Sequence, residues 1–281
     1  MENFAQVNGI RLHYLDHAGG APVLVLLPGL TANAQSFDGL IAAGLSPAHR
    51  VLALDLRGRG LTDKPLSGYS MAAHATDVLG LLDELRLDRV VLGGHSFGGL
   101  LSFYMAANFP DRISRLLVID AAGAMHPETR TMIQPSIDRL GRILPSWDDY
   151  LGLVKTMPFY NDWWDPAIES FLRADVEALV DGGVMPRSRP EAIIEVVDNV
   201  LAEDWMAHIA RIDQPALLLR GRDSFGLPGA PPVLPKAQAM ETVDALANGH
   251  YAEVPGNHIT MLYGEGASRV VAEIEAFLQA D

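Results

Sequence analysis

Short apolar runs recur along the 281-residue chain, and segments with helical periodicity lie between most of them. This order is typical of a mostly parallel sheet that is covered by helices on both faces. The runs are rich in leucine and β-branched residues and mostly lack alternation, which indicates strands that are buried on both faces. The predicted strands are Val23–Leu27, Val51–Leu54, Val90–Leu92, Leu116–Ile119, Ala216–Leu219 and Tyr251–Val254.

An antiparallel hairpin is predicted ahead of these strands. The stretch from Val7 to Asp16 alternates in polarity and opens with Asn8-Gly9, a dipeptide that favours a tight hairpin turn. Together with the parallel strands, the hairpin predicts a mostly parallel eight-stranded sheet of the α/β class. The predicted helices are Met71–Leu87, Phe97–Asn108 and Ala267–Ala280.

The interval 125–210 breaks the alternation of strands and helices. It contains no convincing strand, several helical patches and many methionine and aromatic residues. A segment of roughly 85 residues is too long for an ordinary connection between two strands. We therefore predict a helical cap at 125–210, inserted into a core domain formed by 1–124 and 211–281. The cap's Trp163 and Trp164 are predicted to line an apolar substrate pocket, the alternative being that they form the cap's own core.

Composition and charge exclude several classes of function. With 35 acidic and 21 basic side chains the net charge is −14, which disfavours nucleic acid and anionic membranes as partners. No stretch reaches the roughly 18 apolar residues that span a bilayer, and no basic leader precedes an apolar run at the start. We expect a cytoplasmic protein and leave a homo-oligomer open. The acidic pairs Asp148-Asp149 and Asp162/Asp165 lack histidine partners, so we predict no metal site.

The stretch Gly94-His95-Ser96-Phe97-Gly98 follows one predicted strand and precedes a predicted helix. It matches Gly-x-Ser-x-Gly, a pattern in which a strained turn exposes the serine hydroxyl beyond the end of a strand. Open parallel sheets bind ligands in that crevice, and the free amides of a helix N-terminus favour developing negative charge. We predict that Ser96 is a nucleophile. The alternative is a serine that merely caps the helix.

Four motifs in order along the chain resemble those of the α/β-hydrolase superfamily. They are LLPGLTAN (Leu26–Asn33), DLRGRGLTDKP (Asp55–Pro65), GHSFGG (Gly94–Gly99) and NHITM (Asn257–Met261). The likeness extends over nearly the full length and is greatest to esterase-like members with a helical lid. It implies the α/β-hydrolase fold and an activity on carboxylic esters that needs no cofactor.

A neutral serine hydroxyl needs a base within hydrogen-bond reach. His258 follows the last predicted strand and precedes the final helix, where the resemblance places the catalytic base. For the acid that orients this base, the resemblance offers two positions. Asp120 ends the run RLLVID, and Asp223 follows the next strand one or two residues earlier than is usual. We favour Asp120, because the usual spacing after that strand falls on Ser224 or Phe225, which carry no charge.

The resemblance also implies two backbone donors for an oxyanion, the amides of Leu30 and Phe97. Relatives generally have His-Gly where this chain has Pro28-Gly29, a change that removes a supporting side chain but keeps the backbone donor. The loop architecture around the site is expected to be braced by Asp55 and Arg57. The predicted pocket residues are Gly29, His95, Trp163 and Trp164.

These features predict a carboxylesterase-type serine hydrolase that cleaves small to medium apolar esters through an acyl-enzyme. An alternative is that the same residues act on the carbon–carbon bond of a ring-cleavage product, or on a lactone, a thioester or a peracid. A hypothesis of another class is a receptor that uses this fold to bind a ligand. Haloalkane dehalogenases and epoxide hydrolases resemble the chain elsewhere, but they attack through a carboxylate where this chain has Ser96.

Overall fold

The computed structural model describes residues 1–125, 129–160, 163–226 and 230–280. The strands in these ranges are β1 (Glu2–Val7), β2 (Ile10–His17), β3 (Leu24–Leu27), β4 (Val51–Leu54), β5 (Val90–His95), β6 (Ile113–Ile119), β7 (Val176–Ala178), β8 (Val184–Pro186), β9 (Ala216–Gly221) and β10 (Gly249–Val254). Of these described strands, eight form one sheet in the order β1-β2-β4-β3-β5-β6-β9-β10. β2 pairs antiparallel with β1 and β4, and the remaining pairs are parallel. The predicted mostly parallel eight-stranded sheet is confirmed.

The helices of the described ranges are α1 (Asp38–Leu40), α2 (Ser46–Ala48), α3 (Met71–Glu84), α4 (Phe97–Asn108), α5 (Thr129–Asp138), α6 (Trp147–Lys155), α7 (Pro166–Asp175), α8 (Pro190–Ala202), α9 (Trp205–Ile209), α10 (Lys236–Ala245) and α11 (Gly264–Gln279). The predicted helix at Met71–Leu87 ends earlier, at Glu84, because the chain turns into a left-handed conformation at Arg86 (φ 55°). None of the described helices combines the length and the apolar character that crossing a bilayer requires.

The sheet separates two apolar layers, as the lack of alternation in its central strands predicted. Successive residues of β3 point to opposite faces, so Val25 and Leu27 join one buried cluster while Leu24 and Leu26 join the other. The first cluster contains the buried faces of α3, α4 and α10, and the second contains that of α11. Burial of each such aliphatic side chain contributes roughly 1.5–3 kcal/mol, which fixes the register of the strands.

At the edge of the sheet, β1 and β2 form the predicted hairpin. Asn8 and Gly9 both have positive φ angles, 48° and 77°, as a two-residue turn of type I′ requires. The register pairs Val7 with Ile10 directly across this turn. Asn8 also donates a hydrogen bond from its side chain to Asp77 on α3, which ties the turn to the helical layer.

The segment between β6 and β9 is mostly helical, but the expectation that it contains no strand was wrong. β7 and β8 pair as a short antiparallel hairpin, and Leu144 forms a bridge with Val184. Three-residue strands are too short to produce a recognisable alternation, so the sequence pattern gave no signal for them. The cap boundaries at 125 and 210 stay a prediction; within that range α9 packs on α4 of the sheet domain.

Candidate active site

The sheet order brings four predicted residues to one edge. β5, β6, β9 and β10 are consecutive parallel neighbours, and Ser96, Asp120, Asp223 and His258 follow their carboxyl ends. The backbone amide of Ser96 donates to the Ile119 carbonyl (2.9 Å), so the turn after β5 is bonded directly to β6. A crevice beyond the carboxyl ends of parallel strands is where such sheets bind ligands.

Ser96 lies in a strained turn between β5 and α4. Its backbone angles are φ 54° and ψ −117°, outside the regions that residues with side chains usually occupy. The turn is tight because Gly94 and Gly98 touch: a side chain on Gly94 would lie 2.1 Å from the Gly98 backbone. The Ser96 side chain makes no capping hydrogen bond to α4, although Ser96 is the residue before that helix. The hydroxyl therefore does not serve as a helix cap, which removes the structural alternative for this serine.

His258 and Asp120 form a close pair. The distance between His258 Nδ1 and Asp120 Oδ2 is 2.6 Å, and the Asp120 side chain is 1 % exposed. The other carboxylate oxygen, Oδ1, accepts a hydrogen bond of 2.9 Å from the Gly221 amide. Asp120 has a positive φ of 50°, a second strained position at this edge of the sheet. With Nδ1 facing the carboxylate, the Nε2 atom of His258 is left as the proton acceptor.

Asp223, the other candidate acid, lies elsewhere. Its Oδ2 accepts a hydrogen bond of 2.8 Å from the Gly256 amide, and its own amide donates to the Gly256 carbonyl at 3.1 Å. The side chain is 41 % exposed and has its Oδ1 3.5 Å from Arg222 Nε. These contacts tie the loop after β9 to the turn that precedes His258. Of the two candidates, the structure brings only Asp120 against the imidazole among the described contacts.

His95 links the serine turn to the histidine loop. Its Nε2 donates to the His258 carbonyl oxygen at 2.6 Å, and the two imidazole rings are 4.6 Å apart. Burial, and after it the charge that His258 can carry, lowers the pKa of His95 to about 3, so the ring stays neutral at physiological pH. Among the described residues no hydrogen bond joins Ser96 Oγ to His258; the connection between them runs through the neighbouring His95.

The loop after β3 faces the serine turn. A side chain on Gly29 would lie 3.3 Å from His95 Nδ1 and 3.7 Å from Ser96 Cβ, so the glycine permits close approach. Leu30, the next residue, is half-buried and packs against two apolar clusters. One is the core cluster of the sheet, and the other consists of Ile137, Leu140, Ile193 and Val197. Phe97 begins α4 and is 4 % exposed. The two predicted amide donors therefore belong to the two segments that border Ser96.

The DLRGRG segment braces the structure behind this loop. Asp55 accepts hydrogen bonds from the Ala34 and Leu61 amides and lies 2.7 Å from His13 Nδ1. Arg57 forms a bidentate pair with Asp77. Both residues thus have the bracing contacts expected from the sequence, and both are buried.

Arg59, the second arginine of that segment, is completely buried. Its Nε donates to the Leu30 carbonyl at 2.9 Å, and its guanidinium carbon lies 4.9 Å from the centre of the Phe97 ring. The Nη1 atom donates to the Arg57 carbonyl and to Nε2 of His74. Burial lowers the pKa of Arg59 to about 9, so the group keeps its positive charge at pH 7.

Two phenylalanines border the imidazole. The Phe225 ring lies edge-on to that of His258 at 6.1 Å, and it stacks on Phe159 of the insertion at 4.8 Å. The Phe159 carbonyl in turn accepts a hydrogen bond of 2.8 Å from Asn257, next to His258. An aromatic pair from two separate segments thus covers one side of the histidine.

The predicted pocket tryptophans have their described contacts within the insertion. The Trp164 ring meets Tyr160 edge-on at 5.7 Å and has the Lys155 ammonium 4.8 Å from its centre. The Trp163 amide donates to the Tyr160 carbonyl. Their part in a substrate pocket stays a prediction. Asp162 lies outside the described residues, and in the rest of the chain no three histidine or acidic side chains cluster so as to hold a metal ion.

Sequence reasoning missed the two phenylalanines and Arg59. Phe225 occupies a position at which the family spacing would place an acid, and its aromatic character was the available signal. Arg59 is the last of three charged residues at alternate positions directly after a buried strand, a pattern that indicates a buried polar network. The sequence could not tell which of these charges has a partner, because the partners come from distant segments.

Known proteins share this architecture. Residues 22–173 match the model of the family described as alpha/beta hydrolase fold. The chain is 34% identical over 234 residues to a 2-hydroxy-6-oxo-2,4-heptadienoate hydrolase of Pseudomonas putida, covering 78% of both chains. It is 27% identical over 210 residues to a 2-(acetamidomethylene)succinate hydrolase of Mesorhizobium japonicum, covering 73% of this chain and 72% of the relative. A crystal structure of E-2-(acetamidomethylene)succinate hydrolase superposes with a TM-score of 0.84 at 23% identity, covering 100% and 99% of the two chains.

Proposed function

Because the chain belongs to the α/β-hydrolase family, we propose that it is a serine hydrolase that cleaves carboxylic esters through an acyl-enzyme at Ser96. The observation that carries this proposal is the combination of a strained, uncapped serine with an imidazole whose Nδ1 faces a buried carboxylate. A serine held only for structure needs neither the strain nor the histidine–aspartate pair. Epoxide opening is not favoured, because the carboxylate nucleophile it uses is replaced by a serine.

The reaction begins when Ser96 Oγ attacks the ester carbonyl and His258 Nε2 takes the hydroxyl proton. Asp120 holds the proton on His258 Nδ1 and stabilises the imidazolium that forms. The Leu30 and Phe97 amides donate to the oxyanion of the tetrahedral intermediate. The intermediate collapses by breaking the ester bond, and the departing alcohol takes the proton from His258. Water, deprotonated by the same imidazole, then attacks the acyl-enzyme and releases the acid.

The free protein lacks a direct bond between the serine hydroxyl and the imidazole, which is compatible with this scheme. Catalytic hydrogen bonds are often long or poorly aligned without substrate and shorten in the complex. His95 supports the approach of the two groups, because it adjoins Ser96 in sequence and donates to the His258 carbonyl. The hydrogen bond between Ser96 and His258 must form between two segments that the contact from His95 to the His258 carbonyl already holds together.

The aromatic pair Phe159 and Phe225 supports an apolar substrate. Aromatic walls beside a reacting centre exclude water and bind apolar groups. Both rings are only partly buried, so part of each ring is free to contact a ligand. We therefore expect esters with short apolar acyl or alcohol groups to be better substrates than charged ones.

Hydrolysis of p-nitrophenyl butyrate tests the proposal. The wild-type protein should release p-nitrophenol in repeated turnovers, and Ser96→Ala and His258→Ala should reduce kcat by about 10⁴-fold or more. Ser102→Ala is a matched control, since Ser102 is a buried serine on α4 whose hydroxyl bonds to the Gly98 carbonyl. Turnover that persists in either site variant would refute the assignment.

A second candidate is cleavage of a carbon–carbon bond by the same residues. It is favoured by the 34% identity, over most of both chains, to a protein named 2-hydroxy-6-oxo-2,4-heptadienoate hydrolase. The two candidate functions are separated by measuring kcat/KM for that dienoate and for p-nitrophenyl butyrate on the same preparation. A kcat/KM for the dienoate at least 100-fold above that for the ester would replace the ester assignment.

A further inference from the structure

Arg59 is a buried cation without a carboxylate partner among the described residues. Of the two arginines in the DLRGRG segment, Arg57 is neutralised by Asp77, whereas the hydrogen bonds of Arg59 to described residues go to carbonyl groups and a histidine. Its third nitrogen, Nη2, is buried and has no hydrogen-bond partner in the described part of the chain. An unpaired charge in a protein interior is costly, since the desolvation penalty is not offset. The buried charge of Arg59 therefore lowers stability unless a negative charge comes close to it.

The histidine beside Arg59 adds no negative charge. His74 Nδ1 lies 2.8 Å from the Ser70 carbonyl, an acceptor, so Nδ1 carries the proton and Nε2 accepts from Arg59. Burial, with the nearby charge of Arg59, places the pKa of His74 well below its ordinary value. The ring is thus neutral and acts as an acceptor that orients the guanidinium.

The position of the cation relative to the proposed oxyanion donors is the second observation. Nε holds the carbonyl of Leu30, and the guanidinium lies over the ring of Phe97. These are the two residues whose amides are proposed to bind the oxyanion. The positive charge therefore contacts both residues that carry the proposed donors, and it is fixed by hydrogen bonds to backbone carbonyls and by the face of an aromatic ring.

We propose that Arg59 is a positioning residue for the oxyanion hole, whose buried charge is balanced only when negative charge develops on the substrate carbonyl oxygen. The inference rests on the proposed function, since it needs a tetrahedral oxyanion at Ser96. The group acts in two ways. It fixes the Leu30 carbonyl, and with it the loop that presents the donor, and it supplies a positive potential at the place where the oxyanion forms. Preorganised charge of this kind lowers the transition state more than the ground state.

The matched variants Arg59→Lys and Arg59→Gln separate charge from shape. Both side chains are smaller than arginine and keep a hydrogen-bond donor, but only lysine can carry a positive charge. A unit charge several ångströms from a developing oxyanion in a partly buried site changes a rate by about 10- to 50-fold. We expect kcat of the Gln variant at pH 7 to lie about 10- to 50-fold below that of the Lys variant, with KM within about 3-fold.

A boronic acid provides a readout that a merely structural role would not move. It adds to Ser96 as a tetrahedral anion, so its dissociation constant reports oxyanion stabilisation at equilibrium. Butylboronic acid should bind the Gln variant about 10- to 50-fold more weakly than the Lys variant. Equal losses of kcat and boronate affinity in the two variants would mean that only shape matters, and would overturn the proposal.

A rival role for Arg59 is direct binding of a substrate carboxylate. It predicts that the Gln variant raises KM for the anionic p-nitrophenyl hemisuccinate but leaves kcat for neutral p-nitrophenyl butyrate unchanged. That result also overturns the proposal. Thermal unfolding of the three proteins shows that each is folded at the assay temperature.

A failure of the proposed role of Arg59 can be distinguished from a failure of the proposed ester hydrolysis. If the wild-type protein turns over no ester but its Ser96 reacts with a fluorophosphonate, the ester assignment fails, and the Lys–Gln comparison is made on the rate of that reaction. If the wild-type protein shows neither turnover nor labelling, the proposed function is contradicted and the inference with it.

Discussion

Replacing Asp120 by asparagine tests the proposed acid. The substitution keeps the size of the side chain and an oxygen for the Gly221 amide, so the fold should be preserved. It removes the negative charge that lies 2.6 Å from His258 Nδ1. It also allows an NH₂ group to face that nitrogen, which favours the tautomer with the proton on Nε2. A histidine in that tautomer cannot take the proton of Ser96.

The size of the loss follows from the geometry. An imidazolium and a carboxylate whose charges are about 4 Å apart attract each other by about 4 kcal/mol at an effective dielectric constant of about 20. That energy corresponds to a factor of about 10³ in rate, and the wrong tautomer increases it toward the roughly 10⁴ known for serine proteases. We therefore expect kcat for p-nitrophenyl butyrate to fall by about 10³- to 10⁴-fold in Asp120→Asn.

Asp223→Asn is the matched control, because this side chain also accepts a backbone hydrogen bond, from Gly256, on the loop that leads to His258. We expect its kcat to stay within about 3-fold of wild type. The reasoning is refuted if Asp120→Asn keeps more than a tenth of wild-type kcat, or if Asp223→Asn loses as much as Asp120→Asn. Circular dichroism and thermal unfolding should be unchanged in both variants.

Three further predictions concern stability and specificity. The pKa of His95 is about 3 in the folded protein, so between pH 6.5 and 3 only the unfolded chain takes up this proton. The contribution of His95 to the free energy of unfolding should therefore fall by about 2 kcal/mol when the pH is lowered from 7.5 to 5. In urea titrations, a His95→Gln variant with the same pH dependence as wild type would contradict this. Gly98→Ala places a methyl group 1.9 Å from the Leu27 carbonyl oxygen, so it should lower the free energy of unfolding by about 1–3 kcal/mol. An unchanged midpoint of urea unfolding would contradict the tight turn at this position. Phe225→Ala should raise KM about 3- to 10-fold for p-nitrophenyl hexanoate but less than 2-fold for p-nitrophenyl acetate, because only the longer acyl chain loses an apolar contact. Equal effects on the two substrates would contradict such a contact.

The central sheet was predictable because its signal is local. Buried parallel strands are continuous apolar runs, so the run from Val51 to Leu54 was predicted with both ends correct. Strand β5 is longer than expected, since Gly93, Gly94 and His95 continue the pairing with β6 after the apolar residues end. The two strands β7 and β8 could not be predicted, because three residues each are too few to show an alternating pattern.

The candidate site was partly readable for the same reason. Ser96 and its glycines form a contiguous pattern, and the steric need for glycine at Gly94 and Gly98 is local. The contacts around His258 join distant stretches of chain. Asp120 lies 138 residues from His258, and Phe159, whose carbonyl accepts from Asn257, lies 98 residues from Asn257. The sequence offered two acids for one histidine, and only the side-chain contacts of the folded chain show that Asp120 is the one beside it. The unpaired charge of Arg59 likewise becomes visible only when every neighbouring group has been located.

A crystal structure of the protein inactivated with a p-nitrophenyl alkylphosphonate tests the central claim most directly. The account predicts a covalent bond from Ser96 Oγ to phosphorus, with the phosphonyl oxygen about 3 Å from the amide nitrogens of Leu30 and Phe97. It also predicts His258 Nε2 within hydrogen-bond distance of Ser96 Oγ, while Nδ1 still contacts Asp120. Phosphorus attached to any other residue, or an imidazole that remains out of reach of the adduct, would contradict it.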